Sequence, residues 1–197
     1  VDYLPVNKFG MINPSDLEDI ISEKTSLVSV MFGNNEVGTI QPIQKIAKIC
    51  HENQIIFHTD AVQAVGKITV DVKELDIDLL SISSHKLHGP KGIGALYIKN
   101  GVKINPMILG GGQEFRLRSG TENVANIVGF GQACEIAQNH LVENSSLINK
   151  LQSELVKKIL AEIPEVTFNG HEEYRLCNNA HFTFLGVNGE DLIIKLD

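Results

Sequence analysis

The chain has 197 residues, of which 43% are hydrophobic and 21% charged, so it can build a core and wholesale disorder is excluded. Its 17 basic and 24 acidic residues leave a net charge of -7, which argues against a nucleic-acid binder or an anionic membrane surface as partner, because both need a basic footprint. No apolar run approaches the roughly 18 residues of a membrane span. No secretory n-region and h-region opens the chain, and Val1 begins in mid-pattern. Cys50, Cys134 and Cys177 are far apart and form no CxxC, so neither a zinc knuckle nor a disulfide framework is expected. The cytoplasm is the expected compartment.

Asn13-Pro14-Ser15-Asp16 predicts a helix start, with Asn13 capping and Pro14 at the first helical position, and a short helix over 16–23. The β-branched run 27–32 predicts a buried strand. A helix follows over 42–53, with Ile43, Ile46, Ala47 and Cys50 on one face. Residues 55–58 form the next strand, ending at Thr59-Asp60. Residues 72–75 read as a helical turn, 78–83 as a strand and 94–98 as another. Strands separated by helices imply parallel crossovers and an α/β sheet. From Glu122 to Leu160 the period is helical, with a break expected near Asn144-Ser145-Ser146 and Cys134 on a packed face with Ile127, Phe130 and Ala137. Strands are expected near 166–168 and 180–184, then a helix from Gly189. Residues 1–130 are expected to form part of a large domain, and 131–197 a connecting helix and part of a smaller one.

Polar clusters follow the strands, where open α/β sheets bind ligands. They are Asn34-Asn35-Glu36, His58 to Gln63, and Ser83-Ser84-His85-Lys86; a glycine-rich loop, 110–121, carries Arg118, Gly120 and Thr121. Gly66-Lys67 lacks the rest of a phosphate-binding P-loop, and Gly92 and Gly94 lack the third glycine of a dinucleotide fingerprint. His85 and His88 have a metal-like spacing but no third ligand beside them, so no metal is expected. Lys86 is either a solvated turn lysine or, in a restricted site, a nucleophile toward a carbonyl. Asp60 is either a turn cap or a fixed anion beneath a heterocyclic nitrogen. Taken together, a lysine for an aldehyde and an aspartate for a pyridinium suit pyridoxal phosphate.

Four strings carry more than this pairing: VMFGNNEVGTIQPI, FHTDAVQAVGKI, SISSHKLHGPKGIGALYI and GGGQEFRLRSGTENV. In order and spacing they resemble the NifS/IscS cysteine desulfurases of the class V aminotransferases, and the likeness covers nearly the whole chain. It implies a type I pyridoxal-phosphate-dependent transferase fold, here an incomplete large α/β domain followed by part of a small α+β domain. It implies that Lys86 bonds to the cofactor aldehyde and later moves the substrate's α-proton, and that Asp60 keeps the pyridinium protonated. Gln63 and Asn35 resemble residues near the ring hydroxyl, Asn35 also approaching the substrate carboxylate. Ser83 and His85 resemble phosphate-binding groups, and Thr121 a phosphate contact given across a homodimer.

The activity implied is conversion of L-cysteine to L-alanine, with the sulfur passing to an enzyme cysteine as a persulfide. From there it would go to an acceptor such as an iron-sulfur scaffold protein. The resemblance leaves gaps: the family's stacked histidine lies before Val1, and its nucleophilic cysteine and carboxylate-binding arginine lie after Asp197. Cys177 is expected to be exposed and uninvolved. The chain is therefore expected to be an internal fragment, inactive alone. A selenocysteine lyase, another class V enzyme and a non-catalytic folding module are the rival readings.

Overall fold

Three apolar runs, each ending in polar residues, make the centre of the main sheet in a computed structural model that describes residues 1–197. Strands β1 (Leu27–Met31), β2 (Ile56–Asp60) and β3 (Leu79–Ser83) are parallel neighbours in that order. Strand β4 (Gly94–Ile98) lies antiparallel beside β3. The parallel crossovers expected throughout therefore stop at β3. The connection 84–93 is shorter than the roughly dozen residues a crossover needs, so the chain turns back on itself.

Pairing sets Met31 opposite Asp60, and Asp60 opposite Ser81. Alternate side chains leave a sheet on opposite faces. Val28, Val30, Phe57, Thr59 and Leu80 consequently share one face, and Ser29, Met31, His58, Asp60 and Ser81 the other. The first face is covered by helix α2 (Ile43–Glu52), whose Ile43, Ile46, Ala47, Ile49 and Cys50 are buried against it. Helix α1 (Pro14–Ile20) adds Leu17 to the same core. Asn13 holds the N-cap position without capping: its amide donates to Ser15 Oγ and Asp16 Oδ1, at 2.5 and 3.1 Å.

The expected turn at 72–75 is one closed turn, with Leu75 N donating to Asp71 O at 3.0 Å. Asp71 Oδ1 anchors it by accepting from Lys73 N and Glu74 N. Below the strands, His51 bridges Asp76 and Asp78 at 2.8 Å each, and Asp78 Oδ2 also accepts from Phe57 N at 2.9 Å. Burial pushes the Asp78 carboxyl up, but these donors and Lys99 outweigh it and hold it below its ordinary value.

Helices α3 (Val124–Asn139) and α4 (Leu141–Glu162) meet at His140, not at 144–146. Asn144 N donates to His140 O at 2.9 Å, so the Asn-Ser-Ser run is helical. Ser145 Oγ donates across to Lys67 O at 2.8 Å, a tertiary partner that local reasoning could not supply. The packed face of α3 is Phe130 and Ala133, with Cys134 and Ala137 half-buried beside them; Ile127, expected there, is exposed. Strands β5 (Val166–Asn169) and β6 (His181–Phe184) form a separate antiparallel pair. Helix α5 (Gly189–Leu196) follows, capped by Asn188 Oδ1, which accepts from Glu190 N and Asp191 N. No helix is long and apolar enough to cross a membrane.

Candidate active site

Because β1, β2 and β3 are parallel, their C-terminal ends open on one edge, and the three polar clusters meet there. Beyond β1, Phe32 N donates to Asp60 O at 2.8 Å, carrying the pairing one residue further. The chain then turns on Asn34, whose Oδ1 accepts from Glu36 N and Val37 N, both at 2.9 Å. Asn34 N donates to Thr39 O at 2.9 Å and Gly38 takes φ +77, which closes the turn. Asn35 sits at its exposed tip.

Asp60 ends β2. Its Oδ1 accepts from Val62 N at 2.9 Å, and Oδ2 accepts from no group of the protein, so the carboxylate is oriented by one oxygen while the other stays available. Both readings of Asp60, cap and anion, are compatible with this geometry. Gln63 is half-buried in the turn that follows. Upstream on the same face, His58 is held between two strands: Ser29 Oγ meets Nδ1 at 2.8 Å and Ser81 Oγ meets Nε2 at 2.9 Å. Burial lowers its pKa, opposed by the nearby Asp60 charge.

After β3 the chain tightens into a single 3-10 turn, Ser84–Leu87, ended by His88 at φ 61. Ser83 Oγ lies 2.8 Å from His85 Nδ1, which orients the imidazole. Lys86 is exposed and Ser84 fully buried, its hydroxyl without a partner. Thr121 does not join these residues by any hydrogen bond. It is exposed in the connection from β4 to α3, which is tied to itself by Ser119 Oγ to Gly111 O at 2.8 Å and Gly120 N to Gln113 Oε1 at 3.2 Å. No group of three or more His, Cys, Asp or Glu side chains is placed to hold a metal ion.

None of the thiols is poised as a nucleophile. Cys50 is fully buried, and burial, with the Asp78 charge adding, pushes its pKa up to about 12. Burial also raises Cys134. Cys177 is buried at 4% exposure, against the expectation of an exposed residue. It follows Leu176, whose side chain fills the space a Cβ on Gly33 would need, 2.9 Å away. Lys67 is the second lysine of interest: burial lowers its pKa, Cys177 opposes and the charge of Lys86 adds.

The edge thus offers a carboxylate oxygen for a cationic N–H, a hydroxyl and an imidazole for an anion, amides for a carboxylate, and a primary amine for a carbonyl. Sequence reasoning missed Arg175 and Asn179, which bond to the Asn34–Gly38 turn from more than 130 residues away. Apart from lying between the two strands of the second sheet, they carry no local signal.

The aminotransferase class-V family description matches residues 1–197. The chain is 52% identical over 199 residues to the cysteine desulfurase IscS of Clostridium botulinum strain Hall, covering 100% of this chain and 50% of that protein. It is 52% identical over 197 residues to the cysteine desulfurase IscS of Methanosarcina thermophila, covering 100% and 48%. Among solved structures, a NifS-like protein superposes with a TM-score of 0.92 at 42% identity, over 97% of this chain and 52% of that one. A NifS-like protein from Rickettsia africae gives a TM-score of 0.92 at 38% identity, over 97% and 54%. The chain spans about half the length of the curated relatives it matches.

Proposed function

This chain belongs to the aminotransferase class-V family, and on that premise we propose that it carries the pyridoxal-phosphate-binding part of a cysteine desulfurase. The observation that carries the reading is that Asp60 and the Ser83–Lys86 segment follow adjacent parallel strands on one edge, beside the Asn35 turn.

The residues present fit the cofactor by their chemistry. The unpartnered Asp60 oxygen suits a protonated ring nitrogen. Ser83 and His85 supply donors for a phosphate, Gln63 and Asn35 suit the ring hydroxyl, and the Lys86 amine is free to bond to an aldehyde. When bound, pyridoxal phosphate supplies an aldehyde for amines and a ring that stores the electron pair released at the substrate's α-carbon.

The chain's own residues would do the rest. Asp60 holds a proton at the ring nitrogen and thereby keeps the ring electron-poor. Lys86 Nζ would bond to the cofactor aldehyde at rest and, when free, would move the substrate's α-proton as general base and acid. Asn35 orients the substrate carboxylate. His58 lies on the same sheet face as Asp60, and burial disfavours its imidazolium form. Thr121 reaches the phosphate of the other subunit of a homodimer.

Substrate and products follow: L-cysteine and an enzyme thiol give L-alanine and an enzyme persulfide, whose sulfur goes on to an acceptor protein such as an iron-sulfur scaffold. None of the three cysteines is proposed as that thiol: Cys50 and Cys177 are buried, Cys134 is half-buried on a packed helix face, and burial disfavours the thiolates of Cys50 and Cys134. The accepting cysteine therefore lies outside these residues, and the chain by itself turns over no cysteine. Residues 1–130 as the cofactor-binding part, 131–197 as connector and smaller domain, and a cytoplasmic location belong to the same reading.

Borohydride reduction of the intact protein with its cofactor, followed by peptide mapping, tests it. The label is expected on Lys86; a label on Lys91, or on Lys67, whose ammonium form burial disfavours, overturns the assignment.

A further inference from the structure

The geometry points to Arg175 and Asn179 as positioning residues for Asn35: segment 170–179 clamps the turn 33–39 from behind and leaves the Asn35 amide free toward the substrate carboxylate. The inference rests on the role just proposed for Asn35.

Arg175 is 8% exposed, and Glu172 acts on it as a nearby charge without a hydrogen bond. Its guanidinium is satisfied by oxygens alone. Nε donates to His171 O at 3.0 Å, Nη1 to Val37 O at 2.8 Å and to Asn179 Oδ1 at 3.0 Å, and Nη2 to Asn169 O. Its Cζ stacks 3.9 Å from the Phe168 ring. Burying a cation this way is costly unless every donor is met, and the planar fork of arginine meets several oxygens at once where lysine could not.

One of those contacts is the key to the rest. By donating to Asn179 Oδ1, Arg175 fixes which way the Asn179 amide faces. Nδ2 is thereby aimed at the turn, where it donates to Glu36 O at 2.5 Å and Asn35 O at 3.3 Å. With the amide reversed, an oxygen would face two carbonyl oxygens. The backbone completes the clamp. Ile40 N donates to Tyr174 O at 2.8 Å and Leu176 N to Gly38 O at 2.9 Å.

Three glycines record how closely the parts fit. A Cβ on Gly38 would lie 2.6 Å from Asn179 Oδ1, and one on Gly33 2.9 Å from Leu176. One on Gly170 would run into Val37 O and Arg175 Nη2. The turn is therefore held at both ends and in the middle. The Asn35 side chain makes no hydrogen bond to the protein, and its residue is exposed. A group that must bind a carboxylate is best carried on a backbone that does not move, because small misplacements forfeit much of the benefit of orientation.

Asn179→Asp in the intact protein tests the clamp. The change is near-isosteric, keeps an acceptor for Arg175 and turns the donor aimed at the two carbonyls into a second acceptor. The KM for cysteine is expected to rise about tenfold, as for one lost hydrogen bond of ~1.4 kcal/mol, with kcat within about twofold. Hydrogen exchange at the amides of 34–38 should accelerate about tenfold while those of β1 to β3 stay unchanged; this readout needs neither cofactor nor turnover. Arg175→Lys, which keeps the charge and loses the fork, should move both readouts the same way. Unchanged KM and unchanged exchange in Asn179→Asp overturn the clamp, as does a fall in kcat and cofactor absorbance at constant KM. If the unsubstituted intact protein, supplied with its cofactor, turns over no cysteine, the proposed function fails and exchange alone decides the clamp.

Discussion

Asp60 has two jobs in the proposed site, and a pair of substitutions separates them. Its Oδ1 caps the turn by accepting from Val62 N at 2.9 Å, and in the proposed reading its other oxygen would serve as counterion for the ring nitrogen. Asp60→Asn can keep the first job, because an amide oxygen accepts as a carboxylate oxygen does, and it loses the second. Asp60→Ala loses both. A neutral hydrogen bond contributes about 1 kcal/mol, so the Ala variant should be less stable than the Asn variant by about that much. A charge pair that loses one member at a buried site costs about 3–5 kcal/mol; Asp60 is half-buried, so the lower end applies. At about 1.4 kcal/mol per decade of rate, turnover should fall by roughly 100-fold in both variants. The assay is alanine production from cysteine by the intact protein at saturating cofactor, beside urea denaturation of each variant. Near-normal turnover in Asp60→Asn would refute the counterion role and leave Asp60 as a cap.

Two further outcomes concern the scaffold under the site. Asp78→Ala strands a buried Phe57 N–H and removes one of the two carboxylates that His51 bridges, so it should cost about 2–4 kcal/mol, whereas Asp76→Ala, at an exposed carboxylate, should cost under about 1 kcal/mol. Chemical denaturation distinguishes them, and equal losses would contradict the burial argument. Cys50 should make stability fall at alkaline pH: its folded pKa is raised to about 12 from 9.0, so the unfolded chain ionises first and the folded state loses ground as pH climbs between those values. A Cys50→Ala protein should lack that part of the slope, and an identical slope would mean that another group causes it.

Most strand ends, and the polar residues at them, were legible in the chain itself. Strands and α2 are recognisable because their signals are local: β-branched runs of about five residues, and a 3.6-residue apolar period through Ile43, Ile46, Ala47 and Cys50. Polar residues directly after such runs locate the site edge once the strands are parallel, and the four strings located the family. Tertiary structure decided what depends on partners distant in sequence. It turned β4 antiparallel, since the short link 84–93 leaves no room for a crossover. It kept Asn144-Ser145-Ser146 helical, because Lys67 O takes the Ser145 hydroxyl that would otherwise compete with the helix. It buried Cys177 in a loop that reads as polar, since Leu176 beside it plugs the space at Gly33. And it joined Arg175 and Asn179 to the Asn35 turn, a contact that has no periodicity and no motif, because a guanidinium surrounded by carbonyl oxygens is written in where the backbone goes and not in which residues stand next to it.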